Sequence, residues 1–138
     1  MLSLWKARYS NFAPHEVLSP AGLAMFDKGV LLIQPHALDY LQAFRSFIGL
    51  PLVVNGSGHT LRGYRSPEEN RSCGGKLFSF HMQGLAFDVT APALSVENLA
   101  ASALDFGWHG VGAYPSRGFV HVDLRPRLDR LPTTWVEQ

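Results

Sequence analysis

The chain has one cysteine, no internal repeat, no low-complexity tract, almost no net charge and no apolar run of the about 18 residues that a membrane-spanning helix needs. Each absence removes a class of protein. Cys73 alone excludes an internal disulfide and, without cysteine partners, a cysteine-based zinc knuckle, so its thiol reads as a bystander. The segment from Met1 to Phe12 carries Lys6 and Arg8 but lacks the continuous apolar stretch of a secretory signal. The expectation is a protein made soluble in the cytoplasm, with any export by another route. Twelve basic residues against 11 acidic ones leave a net charge of +1, which gives no dominant grip on nucleic acid or anionic lipid. Nothing in the 138 residues reads as a linker, and the length suits one domain, expected to act as a monomer with its core over about 11–126.

What is present is a mixture of helix and strand patterns. From Pro35 to Ile48, Ala37, Tyr40, Leu41, Phe44, Phe47 and Ile48 recur at helical spacing, with Gly49 and Pro51 closing the helix. Leu52 to Asn55 reads as a short buried strand ended by Gly56-Ser57-Gly58. Ser66-Pro67-Glu68-Glu69 has the form of a capping box, predicting a short helix that stops at Gly74-Gly75. Ser95 opens another helix, with Val96, Leu99, Ala100, Ala103 and Leu104 on one face and Gly107 at its end. Leu85 to Val89, Val111 to Tyr114 and Phe119 to Leu124 are the remaining strand candidates. Without regular alternation, these elements predict an α+β fold: a small, mainly antiparallel sheet with helices packed on it. The tail after Pro126 is expected to wrap the surface.

Strand alternation places Phe119, His121 and Asp123 on one face of the last strand, with Val120, Val122 and Leu124 turned into a core. In the strand from Leu85, Asp88 points away from Leu85, Phe87 and Val89, with only the small Ala86 beside it. His81 comes from the turn just before, where Gly84 lets the chain bend. Two imidazoles and a carboxylate are the ligand set of a hydrolytic zinc site that keeps a fourth position open. A lone histidine is ordinarily a hydrogen-bonded structural residue. Three such groups, each beside strand-forming apolar residues where it is costly unless satisfied, point instead to one cation held by His81, Asp88 and His121.

The flanks of these residues carry a family resemblance. Gly63-Tyr64-Arg65-Ser66-Pro67-Glu68-Glu69-Asn70, Gly74-Gly75, the run from Ser79 to Asp88, and Gly110-Val111-Gly112-Ala113-Tyr114-Pro115 followed by Phe119 to Asp123 closely resemble the zinc peptidases of the D-alanyl-D-alanine carboxypeptidase type. That group cleaves peptidoglycan, shares its fold with the hedgehog signalling domain, and includes phage endolysins and murein endopeptidases. The resemblance runs from about Asn11 to Pro126. It implies Zn2+ on His81, Asp88 and His121, and Arg65 binding a carboxylate of a peptidoglycan stem peptide. It also implies hydrolysis of an amide in stem peptides or cross-links, by an endopeptidase or a D,D- or L,D-carboxypeptidase. A guanidinium suits the role given to Arg65 because it can hold a carboxylate through two parallel hydrogen bonds.

One position departs from the family. Some members carry a glutamate three residues before the last zinc ligand, or a histidine two before it; here Gly118 and Phe119 stand there. The proton acceptor is thus not fixed by the motifs. Asp123 has two open roles, as that acceptor or as a partner orienting an imidazole. His59 is expected to line the cleft, Ser79 and Gln83 to hydrogen-bond ligands or substrate, and His109 is a weaker candidate. His15 and His36 read as structural, and Arg62 has two open roles, assisting Arg65 at the substrate carboxylate or, more simply, standing as a solvated surface arginine. Two other functions compete: a zinc-containing binding domain of this fold without turnover, and a non-haem iron oxygenase suggested by His121-x-Asp123. The second lacks a later histidine for its third ligand.

Overall fold

In the computed structural model, which describes residues 2–127 and 129–137, the site is built on one face of a four-stranded sheet. The helices are α1 Leu2–Arg8, α2 Pro20–Asp27, α3 Pro35–Ile48, α4 Pro67–Ser72 and α5 Val96–Phe106. The strands are β1 Ala86–Val89, β2 Gly110–Tyr114, β3 Phe119–Asp123 and β4 Thr133–Val136, in the spatial order β1-β3-β2-β4. No helix among the described residues is long and apolar enough to cross a membrane.

Alternation divides the sheet into a dry face and a polar one. Phe87, Val89, Val111, Val120 and Val122 are buried under α3 and α5, together with Phe44, Leu99, Ala103 and Trp108. Trp108 is met edge-on by Tyr40 and Phe44 at ring distances of 4.7 and 5.8 Å, a geometry favoured by the ring quadrupoles. The antiparallel register sets Asp88 opposite His121 and Ala86 opposite Asp123. The polar groups therefore share the other face.

α3 covers the residues its periodicity marks, but it buries Leu38 and leaves Phe47 exposed against Phe106. α5 starts at the Ser95 cap, whose hydroxyl accepts from Asn98 N, and ends at Gly107 in the left-handed region. Three expectations need correction. The tail after Pro126 does not wrap the surface: β4 joins the sheet edge parallel to β2, in a sheet whose other pairings are antiparallel as expected. Leu52 to Asn55 is not a strand: Val53 makes a single bridge to Thr90, and Asn55 turns its amide to the carbonyls of His15 and Leu18. The core also begins before Asn11, since Trp5 and Tyr9 are buried and the Trp5 indole donates to Phe12 O.

α4 forms from the expected capping box, with Ser66 Oγ accepting from Glu69 N and Glu69 Oε1 accepting from Ser66 N. Glu69 also accepts from Ser19 Oγ at 2.6 Å and from Ala21 N at 3.2 Å, so one carboxylate ties α4 to α2. Burial pushes its pKa up, but the hydrogen bonds from Ser19, Ser66 and Ala21 outweigh that and hold it below the usual value. A depressed carboxyl pKa contributes stability above the unfolded value and loses it as pH falls through the folded one. Glu69→Gln should therefore lower urea-denaturation stability by about 1–2 kcal/mol at neutral pH, with the gap closing below about pH 4. A gap of the same size at every pH would remove the charge from this account.

Candidate metal centre

His81 sits in the turn Phe80 to Gly84, where the buried Ser79 hydroxyl accepts from His81 N at 3.1 Å and Gly84 adopts a φ of 71°. A side chain at Gly84 would strike the backbone of Leu32 and Ile33, so the turn must be glycine there. The His81 Nδ1 lies 2.9 Å from Gly63 O. A carbonyl only accepts, so Nδ1 carries the hydrogen and Nε2 presents a lone pair. That lone pair faces Asp88 Oδ1 at 3.2 Å.

His121 is fixed in the same way from its other nitrogen. Its Nε2 lies 2.7 Å from Asp123 Oδ2, and its Nδ1 lies 3.0 Å from Asp88 Oδ1. Asp123 is fully buried and is gripped by the Arg125 guanidinium at 2.7 and 3.0 Å and by Arg125 N at 3.0 Å. Burial pushes the Asp123 carboxyl pKa up, but His121 and Arg125 hold it well below the usual range, so it remains an acceptor. With the hydrogen on Nε2, the Nδ1 lone pair of His121 points at Asp88. Three acceptor atoms, His81 Nε2, Asp88 Oδ1 and His121 Nδ1, thus converge within 4.8 Å of one another. Such a buried cluster requires a proton or a metal cation between its members, and two imidazoles with a carboxylate suit a divalent ion such as zinc.

Arg65 braces Asp88 from behind. It donates to Asp88 Oδ2 at 3.3 Å, to Asn70 Oδ1 at 3.1 Å and to Leu61 O. Asn70 is buried on α4 and also donates to Lys76 O, so the capping box, α4 and the Gly74-Gly75 loop all steady this guanidinium. These bonds position Asp88 and use three of the five guanidinium N–H groups; Arg65 also lines the cleft, where the remaining two suit the substrate carboxylate expected of it. Asp123 binds the His121 nitrogen that faces away from Asp88 and does not line the cleft, a placement that suits the orienting role better than that of proton acceptor.

His81, Asp88, His121, Arg65 and Arg125 line a cleft of about 500 Å³. Ser79 lines it, with its hydroxyl accepting from His81 N; His59 lines it and is exposed; Gln83 is exposed and lies outside the lining. His109 binds Arg125 O through Nδ1 at 2.7 Å, while His15 and His36 are exposed rather than structural. Sequence reasoning missed Arg125 and Trp135. The spacing Asp123-x-Arg125 on one strand face offered a signal for the first. Nothing local marked Trp135, which reaches the site from β4, packs 5.4 Å from the His121 ring and donates from Nε1 to Tyr114 Oη at 2.9 Å. Gly112 makes room for it, since a Cβ there would collide with the indole.

Burial opposes charge on both His121 and Asp88. The carboxylates of Asp123 and Asp88 nevertheless hold the His121 pKa above its ordinary value, and the two histidines hold Asp88 below the carboxylate range. A raised histidine pKa contributes stability below its unfolded value, about 6.5, and that contribution is lost as pH rises through the folded pKa. The depressed Asp88 does the reverse at the acid end. The metal-free protein should therefore lose Tm as pH rises above about 7, while added zinc should raise Tm by an amount that grows over the same range. At a free concentration about 100 times Kd the gain is about 2.7 kcal/mol; an increment independent of pH in thermal melts would contradict the arrangement. Asp123→Asn should weaken zinc binding by about 10–100-fold in competition with a chelating indicator. Unchanged affinity would show that Asp123 does not position His121.

Comparison with known proteins agrees with this geometry. Residues 12–123 match the family described as Peptidase M15. The chain is 32% identical over 99 residues to the peptidoglycan L,D-endopeptidase MepK of Escherichia coli K12, an alignment covering 68% of this chain and 52% of that protein. It is 30% identical over 101 residues to the probable peptidoglycan L,D-endopeptidase MepK of Haemophilus influenzae, covering 67% and 54%. This chain spans about half the length of each of these relatives. With the family match extending over most of the chain and ending on the strand that carries His121, the protein belongs to the peptidase M15 family of metallopeptidases.

Proposed function

We propose that this chain is a zinc-dependent peptidoglycan endopeptidase that hydrolyses an amide in the stem peptides or cross-links of the cell wall. The observation that carries this reading is the convergence of three lone pairs at the floor of an open cleft. The cation would be held by His81 Nε2, Asp88 Oδ1 and His121 Nδ1. When bound, zinc supplies a Lewis acid that polarises an amide carbonyl and acidifies water. The protein's own part is to keep those three atoms aimed. Gly63 O and Asp123 fix which imidazole nitrogens are free, and Arg65 holds the second oxygen of Asp88. Phe78, Phe80, Phe119 and Trp135 add apolar surface to the cleft lining. With Asp123 behind the ring, the imidazole and carboxylate left in the lining to take a proton are His59 and Glu137.

The L,D-endopeptidase names of the relatives favour a bond between an L-centre and a D-centre over terminal trimming by a carboxypeptidase. The site of action is then the cell wall. A second reading, a metal-binding domain without turnover, is favoured by Gly118 and Phe119 standing where some members carry an acid or imidazole.

Zinc-loaded protein incubated with purified peptidoglycan should release peptide fragments whose masses identify the bond. A chelator should abolish the release. His81→Ala should lower the rate by about 10³-fold or more, corresponding to the several kcal/mol of charge stabilisation that a catalytic metal supplies. Stoichiometric zinc with no fragment from any murein or D-peptide substrate would establish the non-catalytic reading.

A further inference from the structure

Arg62 and Arg117 converge on one aromatic ring at the edge of the metal cleft. Phe119 is buried two residues before His121 on the same face of β3, about 6.5–7 Å away along the strand. Tyr114, its partner across β2, stacks on it with ring centres 4.6 Å apart and planes within 9°. The guanidinium carbons of Arg62 and Arg117 lie 5.1 and 4.9 Å from the Phe119 centroid. Arg62 is half-buried, not a solvated surface residue, and its carbonyl accepts from Asp88 N at 2.7 Å, which ties it directly beside the triad. Arg117 reaches in from the exposed β2–β3 turn.

Neither guanidinium makes a carboxylate pair or a side-chain hydrogen bond among the described residues. The contrast is with Arg8, Arg65 and Arg125, each of which is paired to an aspartate. Two like charges held on one ring repel each other, and one of them is partly desolvated. The ring attracts both, at about 0.5–2 kcal/mol each, but its quadrupole leaves their donor edges unsatisfied. A carboxylate satisfies those donors and the charge together.

We propose that Arg62 and Arg117, arrayed on Phe119, form an anion subsite for a carboxylate of the substrate peptide. This deepens the peptidase reading and rests on it for the substrate's identity. An extended peptide advances about 3.3 Å per residue, so a group at Phe119 belongs to a residue one or two positions from the amide at the triad. The ligand is then a peptide with a free carboxylate close to its scissile bond. Arg65 is paired to Asp88, whereas these two arginines have no carboxylate partner among the described residues.

The test compares two synthetic stem tetrapeptides, one with free side carboxylates and one with the same groups as carboxamides. Binding to the zinc-loaded protein is measured by calorimetry and cleavage by chromatography. Wild type should bind the free acid about tenfold more tightly or better and show a similar preference in kcat/KM, carried mainly by KM. In R62Q and R117Q that preference should collapse towards unity, with zinc content retained. Arg117 lies in an exposed turn, so R117Q carries the test even where R62Q folds poorly. Equal binding of the two peptides by wild type, or an undiminished preference in R117Q and the double variant, overturns the subsite. A carboxylate preference lost in the variants, with neither these peptides nor purified peptidoglycan cut, supports the subsite and overturns the peptidase reading alone. No binding of either peptide overturns the subsite, and the peptidase reading then stands or falls on fragment release from purified peptidoglycan.

Discussion

Everything in the polar half of this protein answers to one constraint: three acceptor atoms of His81, Asp88 and His121 are held pointing at a common space. Left without a cation, they would repel, and burial would sharpen the repulsion because the surroundings screen it poorly. Flexible side chains would escape by rotating. Here they do not, because each is held from behind by a group of fixed chemistry: a backbone carbonyl for His81, a guanidinium for Asp88 and a carboxylate for His121. The carbonyl and the carboxylate can only accept, and so they determine which ring nitrogen keeps its hydrogen. Much of the apparent charge network around the site therefore serves to aim lone pairs.

The bracing groups are themselves braced, and the chain of support reaches the fold. Arg65 depends on Asn70, Asn70 on the short helix α4, and α4 on a capping box whose glutamate also holds the start of α2. On the other side, Asp123 depends on Arg125, which is flanked by the Phe80 and Trp135 rings at 4.9 and 5.0 Å. Beneath both lies the apolar face of the sheet. Phe87, Val89, Val120 and Val122 are buried under α3 and α5, at about 1.5–3 kcal/mol for each large apolar side chain. That burial is indifferent to the metal, and it fixes the strand register that sets Asp88 opposite His121.

Local patterns made α3, α4, α5 and the triad legible from sequence, whereas α1 and α2 went unread. α3 and α5 follow from periodicity with glycine stops, α4 from the serine, proline and glutamate of its capping box, and the shared face of His121 and Asp123 from simple alternation. What stayed hidden was pairing between remote segments. Val53 has the composition of a strand but finds one bridge partner, because Asn55 is drawn away to two backbone carbonyls. The tie between Arg65 and Asp88 was hidden too, because the sequence does not show that Asn70 and Leu61 hold the guanidinium in place. Arg62 looked solvated for a similar reason: the aromatic ring beside it arrives from β3, and only the folded sheet brings the two together.

β4 sharpens the distinction between what makes the chemistry and what shapes the cleft. The segment matched by the family ends at Asp123, with the triad and the orienting aspartate already in place. β4 comes after it, adds parallel to β2 and sets Trp135 against the ring of His121, in space that Gly112 leaves clear. A parallel partner cannot arise from a tight hairpin, so the chain must first leave the sheet after Arg125 and return to its outer edge. The indole then contacts the outer side of a ligand whose inner side faces Asp88, and through Tyr114 it joins the same aromatic stack that carries Phe119. The three converging residues thus lie within the segment matched by the family. The cleft wall is built partly by Trp135, which lies beyond that segment and rests on His121 without holding any of the three converging atoms in place.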